Sequence, residues 1–187
     1  TGTEMAGVAA FADLTADLLV GGPARPRAWI RNARLIDGLT NTSEDREFWP
    51  ERTEGAVSAS LAAGELQVFN LSIGAKNEDP GQRTSWSVAV DSLAHNSGVG
   101  RLFVIAAGSV DPSPVVADYP YINLAWGLDD PAQAYNAITV GAITHRTDLP
   151  PDGTYNNLQA LAAAGELSPY SACDLGGNRP IKPEVVV

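Results

Sequence analysis

Few residues in this chain could do chemistry. Its 187 residues hold two histidines, His95 and His145, and a single cysteine, Cys173. Two hydroxyl residues stand out by position. Thr1 opens the sequence, and an N-terminal threonine, whose own amine can serve as base, is a legitimate nucleophile. Ser109 closes the run Arg101-Leu102-Phe103-Val104-Ile105-Ala106-Ala107-Gly108-Ser109. There a short apolar stretch breaks into small residues that let another backbone approach closely. A buried parallel strand opening into such a turn is how an α/β protein builds a site at the carboxyl end of its sheet. His145 follows another apolar run, with no serine and acid at a recognisable spacing. His95 falls near a helix end, where its charge suits the dipole. Cys173 sits among Ser171, Asp174 and glycines with no histidine nearby in sequence, the setting of a structural thiol. With only two histidines beside it, no zinc-binding spacing exists.

The elements that must position these residues alternate in type. Thr3 suits the N-cap of a helix whose Met5, Val8, Ala9 and Ala12 share a face, and Gly21-Gly22-Pro23 ends that segment. A strand is expected over 28–36, anchored by Trp29, Ile30, Leu35 and Ile36 with arginines between them. A polar surface loop over 37–52 and an Ala-rich helix over 55–64 follow. The next strand covers 66–73 and stops at Gly74. From Thr84 or Ser85 a helix sets Trp86, Ala89, Val90, Leu93 and Ala94 at the spacing of a buried face. After the strand that begins at Arg101 comes a proline-containing loop. Asp130-Pro131-Ala132-Gln133 then reads as a helix start, with an Asp cap, Pro in first position and Gln returning to the cap. Residues 137–143 form a further strand, and 182–187 another. Strands alternating with helices predict an α/β fold: a doubly wound, mostly parallel sheet in three α/β/α layers.

Composition narrows the function classes. A hydrophobic fraction of 44% and a charged fraction of 18% are those of a globular domain, and 187 residues suffice for one core. The net charge of -10, with a pI near 4.5, argues against nucleic acid as a partner, because phosphate binding needs basic clusters. An acidic surface admits a calcium site, but no loop of alternating Asp/Asn with a closing Glu occurs, so no cofactor is expected. No apolar stretch approaches the roughly 20 residues that span a bilayer, so no membrane partner is expected. Residue 1 reads as the start of a helix in mid-domain, so a targeting segment upstream would not be visible. The G-x-G-x-x-G, G-x-x-x-x-G-K-[ST] and G-x-S-x-G patterns are all absent.

Several segments, taken in order, say more than any one of them. They are Gly2-Thr3-Glu4-Met5-Ala6-Gly7-Val8-Ala9, Asn70-Leu71-Ser72-Ile73-Gly74, Val104-Ile105-Ala106-Ala107-Gly108-Ser109, and Ala137-Ile138-Thr139-Val140-Gly141-Ala142. Ser168-Pro169-Tyr170-Ser171 and Lys182-Pro183-Glu184-Val185-Val186 complete the series. Together they resemble the subtilisin-like serine peptidases, or subtilases. The matching family patterns are the H-G-T-x-x-A-G-x-A helix start, the N-x-S-x-G substrate strand, the A-A-G-N strand with its oxyanion asparagine, the I-T-V-G-A strand and the F-S-x…K-P-D-V-x segment. The wording around Asp130-Pro131-Ala132-Gln133-Ala134-Tyr135-Asn136-Ala137 and Arg179-Pro180-Ile181-Lys182-Pro183 is most similar to a bacterial subgroup often encoded beside an AAA-type ATPase.

The resemblance implies a serine endopeptidase that hydrolyses peptide bonds by acyl transfer. Such an enzyme needs a serine nucleophile, a histidine base, an orienting aspartate and an oxyanion donor. It also implies that residues 1–187 form the central part of one peptidase domain. The aspartate strand is expected before residue 1 and the nucleophile-serine segment after Val187. Thr1 stands at the family's histidine position, and threonine cannot shuttle a proton near neutral pH. Ser109 stands at the position of the oxyanion asparagine, with a shorter and less fixed donor. In subtilisin itself, losing the oxyanion side chain costs on the order of 10²–10³ in kcat, and losing the triad about 10⁶. The chain by itself is therefore expected to be inactive. The substrate-binding positions carried over are Ser72, Ile73 and Gly74 on one side and Ala106, Ala107 and Gly108 on the other. Subtilases there hold an extended peptide as an added strand. Expected partners are a peptide or protein substrate and, by the subgroup resemblance, an AAA-type ATPase. The same subgroup leans the compartment toward a bacterial cytoplasm. The alternative is a catalytically dead pseudopeptidase domain that binds extended peptides or a partner protein, since two separate active-site positions differ from the family pattern.

Overall fold

In the helix expected from Thr84 or Ser85, the apolar spacing is realised as predicted. The computed structural model describes residues 2–12, 14–36, 43–62, 64, 68–79, 82–95, 100–111, 118–148, 158–175 and 179–187, and in it this helix spans Ser85–His95. Trp86, Ala89, Val90, Leu93 and Ala94 are all buried. By contacts the chain divides into two compact units, residues 1–65 and 66–187.

The second unit contains the sheet. Its strands are β1 (Val68–Leu71), β2 (Leu102–Ala106), β3 (Ala137–Gly141) and β4 (Val185–Val186). They lie in the order β1-β2-β3-β4 and every pairing is parallel. Leu71 is in register with Ile105, Ala106 with Val140, and Gly141 with Val186. The α/β class and the parallel sheet are as the alternating pattern predicts. Short runs of β-branched and aromatic residues suit strands covered on a face. In β2, Phe103 and Ile105 alternate with more exposed neighbours and are fully buried. Phe69 of β1 stacks on Phe103, ring centroids 4.9 Å apart, an arrangement that adds to simple area burial. The Ser85–His95 helix links β1 to β2 and packs against β2 and β3.

The first unit is helical among its described residues. α1 covers Gly2–Phe11 and α2 covers Thr15–Val20, the latter closed by Gly21 in the left-handed region at φ 69°. A 3-10 turn at Ser43–Phe48 leads into α3 (Trp49–Ala62), where Trp49, Thr53 and Val57 form one buried stripe. With these labels the Ser85–His95 helix is α4. The helix expected at 55–64 thus begins six residues earlier, inside what reads in sequence as surface loop. Residues 37–42 of that loop lie outside the described residues. The strand expected over 28–36 does not form: the segment is irregular and Trp29 is almost wholly exposed. Its apolar residues fall in adjacent pairs, 29–30 and 35–36, so they cannot share one face of a strand, where neighbours alternate.

Two further departures lie between β2 and β3. A short helix, α5 (Tyr121–Trp126), occupies the expected proline-containing loop. The helix expected from Asp130 is instead a run of turns, with the Ala132 N–H on Asp129 and the Ala134 N–H on Pro131. Its intended cap is engaged elsewhere. The Asp130 carboxylate accepts a hydrogen bond from the Thr84 hydroxyl, and its backbone N–H and C=O both pair with Ala75. The Gln133 amide donates to the Leu128 carbonyl, 3.1 Å away, rather than returning to the cap.

Candidate functional site

β1 and β2 run side by side and stop together, so the residues that follow them share the carboxyl edge of the sheet. After Leu71, the chain is exposed at Ser72 and Gly74 and half-buried at Ile73. The Asn70 amide donates to the Ser72 hydroxyl at 2.9 Å. The strand is caught again at Ala75, which bridges Asp130 in antiparallel fashion through bonds of 3.0 and 2.7 Å. After β2, Ala106 is exposed, Ala107 is buried and Gly108 turns the chain at φ 107°, a conformation that side-chain-bearing residues rarely adopt. The Ala107 N–H donates to Val140 (2.9 Å), and its carbonyl accepts from the Asp129 N–H (3.0 Å). The structure therefore places both sets of expected substrate-binding residues at the carboxyl ends of two adjacent parallel strands. They differ in character: the 72–74 side offers an exposed backbone edge, while Ala107 is tied into the molecule and forms a wall.

Ser109 lies just beyond this wall and is exposed. Its N–H donates to Asp129 Oδ2 at 3.2 Å, and it bridges Ser171 across an antiparallel contact. That contact is clasped on both sides, by Val110 N–H to the Tyr170 carbonyl (2.9 Å) and Ala172 N–H to the Gly108 carbonyl (3.2 Å). Thr1, the other expected catalytic position, lies outside the described residues. His145 is exposed in the coil after β3, and His95 is exposed at the end of α4. Among the described residues neither imidazole hydrogen-bonds a hydroxyl, thiol or carboxylate. Cys173 is buried, and burial, with the negative charge of Asp174 adding to it, pushes its thiol up from 9.0. A thiol so disfavoured as thiolate suits a structural role.

Two supports of the segments that follow the strands were not read from sequence. Asn123 of α5 is fully buried, and its amide donates to the carbonyls of Ser168 (3.1 Å), Pro169 (3.2 Å) and Ser171 (2.8 Å), holding the loop that faces Ser109. Asp129 holds the segment that follows β2, through its N–H bond to Ala107 and its carboxylate bond to Ser109. An asparagine in an apparent loop and an acid beside a false helix cap carry no distinctive sequence signal. On the far side of β3, Lys182 is 3% exposed. Its Nζ bonds the Ala137 carbonyl (2.9 Å) and Glu184 Oε1 (2.6 Å), while Glu184 Oε2 accepts from Thr139 N–H (2.8 Å). These bonds fasten β4 to β3.

A parallel four-stranded sheet with helices between its strands defines an α/β protein. The whole-chain comparison then gives the family: the sequence profile of the Subtilase family matches residues 2–187, and the chain belongs to that family. Among solved structures, the chain is similar to a mutant of the protease domain of PatA. That match has 19% identity and a TM-score of 0.41 over 67% of this chain and 33% of the other. It is also similar to the prenylagaramide maturation protease PagA, at 17% identity and a TM-score of 0.39 over 67% of this chain and 32% of that one. The chain thus spans about a third of the length of each of these structures. No curated protein matches it.

Proposed function

We propose that these residues supply the substrate cleft of a subtilisin-like serine endopeptidase, in which an extended peptide lies between the 72–74 edge and the 106–108 wall. The observation that carries this reading is the convergence of those two segments at the ends of adjacent parallel strands, one exposed and one locked. An exposed strand continuation can hydrogen-bond a peptide as an added strand, and a rigid wall opposite fixes its register. Family membership supports the acyl-transfer chemistry. Ser109, exposed just beyond the end of β2, takes the oxyanion position, and Thr1 takes the position of the histidine base. Among the described residues neither histidine hydrogen-bonds an aspartate or a serine, and on this reading these residues bind peptide and do not by themselves hydrolyse it. The subgroup resemblance adds an AAA-type ATPase as a partner.

A second reading, a pseudopeptidase that only binds, is favoured by the change at both Thr1 and Ser109. Fluorophosphonate labelling of the polypeptide as its source cell makes it, read by intact mass, separates the two. A labelled species above 19.6 kDa is expected for a working peptidase that contains these residues. An unlabelled one overturns the enzyme reading and leaves the binding domain.

A further inference from the structure

We infer that Thr84 is a positioning residue for the peptide-binding edge, its hydroxyl holding Asp130 and, through Asp130, the far end of the 72–74 segment. The inference rests on the reading of that segment as a peptide edge. The segment lies between two fixed points. Leu71, the last residue of β1, is in register with Ile105 of β2, and Ala75 exchanges two backbone bonds with Asp130. Each residue of extended chain spans at most about 3.6 Å, so so short a segment has little slack, and a shift at Ala75 reaches the edge directly. The place of Asp130 therefore sets how 72–74 is presented.

Asp130 is in turn held from α4. Its carboxylate accepts the Thr84 hydroxyl, and Thr84 immediately precedes the helix and caps it. The cap is reciprocal: the Ser87 N–H donates to Thr84 Oγ1 (3.1 Å) and the Thr84 N–H to Ser87 Oγ (2.9 Å). The Val88 N–H closes on the Thr84 carbonyl at 3.0 Å. A hydroxyl has one proton and two lone pairs. Thr84 Oγ1 can thus accept from the helix terminus and donate to the carboxylate at once, joining the two. The helix supplies a firm base. Ser87 is fully buried, as is the apolar face beside it. Further along, the Asp91 carboxylate accepts the Asn136 N–H (2.6 Å) just before β3. The route from the core to the peptide edge is short, running from α4 through Thr84 and Asp130 to Ala75. An edge fixed before the peptide arrives spares the cost of ordering it on binding.

The test is fluorescence anisotropy of the full 187-residue chain with a labelled decapeptide of alanine and threonine, beside urea unfolding of each variant. Thr84→Val keeps the branched shape but loses both roles of the hydroxyl, so stability and affinity should fall together. Thr84→Asp separates them. Its carboxylate still accepts the Ser87 N–H and suits a helix N-terminus, but it has no proton for Asp130 and repels it. This variant should unfold at higher urea than Thr84→Val. It should nonetheless bind the peptide about tenfold more weakly than the native chain, the scale of ordering one loosened backbone residue. Thr84→Ser keeps the donor and Asp130→Asn keeps an acceptor, so both should bind like the native chain. Hydrogen exchange at the Ala75 amide should quicken in Thr84→Asp without peptide, while that of Ile105 in β2 stays as it was. Native-like affinity in Thr84→Asp, an unchanged Ala75 amide there, or affinity that simply ranks with urea stability leaves Thr84 a helix cap only. Each of these overturns the assignment with the cleft still in place. No binding by the native chain overturns the cleft reading itself, and the assignment with it.

Discussion

The pair that fastens β4 to β3 makes an asymmetric prediction. Lys182 is 3% exposed and Glu184 is 37% exposed at the side chain, so one charge is buried and the other is half in water. Replacing the lysine by Met removes the buried charge. The Ala137 carbonyl then loses its donor and Glu184 loses its ion pair, but Glu184 keeps the Thr139 N–H and its contact with solvent. An unpaired buried carbonyl costs about 1–3 kcal/mol. A pair with a half-exposed partner adds no more than about 1 kcal/mol, and part of both is offset by burying an apolar stem. Lys182→Met should therefore cost about 2 kcal/mol. Glu184→Gln removes the countercharge and leaves the buried ammonium with neutral acceptors only, the situation for which a loss of about 3–5 kcal/mol is typical. The half-exposed side of the pair admits water, which places the cost at the lower end, about 3 kcal/mol. The double variant should be more stable than Glu184→Gln alone, because removing the lysine removes the uncompensated charge. Urea unfolding followed by tryptophan fluorescence measures all three, with the buried Trp86 reporting on the sheet unit. A larger loss in Lys182→Met than in Glu184→Gln, or additivity in the double variant, would refute the reasoning.

Other expectations follow from single contacts. Asn123→Leu removes the donor shared by three loop carbonyls and should cost about 2–4 kcal/mol in the same unfolding assay. A cost under about 0.5 kcal/mol, the range of ordinary surface changes, would show that the loop holds itself. The raised thiol of Cys173 gives stability a pH dependence. Between its ordinary value of 9.0 and its raised folded value, the unfolded chain has lost the thiol proton and the native one has not, so stability falls as pH rises through that window. Unfolding midpoints should drop from pH 8 to pH 10 by more in the native chain than in Cys173→Ala. The residual slope in the variant belongs in part to Tyr119, whose hydroxyl is raised by burial and by Glu166. Equal slopes in the two proteins would contradict the burial argument.

What the sequence by itself determined is what short-range pattern can encode. β2 and β3 are visible as short apolar runs ending in small residues, and α4 as a single apolar stripe, because each depends on the period of its own element. The turns at Gly74 and Gly108 are legible for the same reason, and the order of the motifs made the family legible over nearly the whole chain. Tertiary structure decided the rest. Residues 28–36 have strand-forming side chains but no common face, so no ladder captured them. Asp130 carries a helix-cap signal, which Ala75 and Thr84 override by taking its backbone and carboxylate from elsewhere in the chain. Lys182 is buried because a carbonyl of β3 and Glu184 meet it there. Asp129 gains its place over Gly74 and Gly108 only when two strand ends are set side by side. Local propensity is a property of neighbours along the chain. A site is a property of neighbours in space, which the parallel pairing of β1 and β2 had to create.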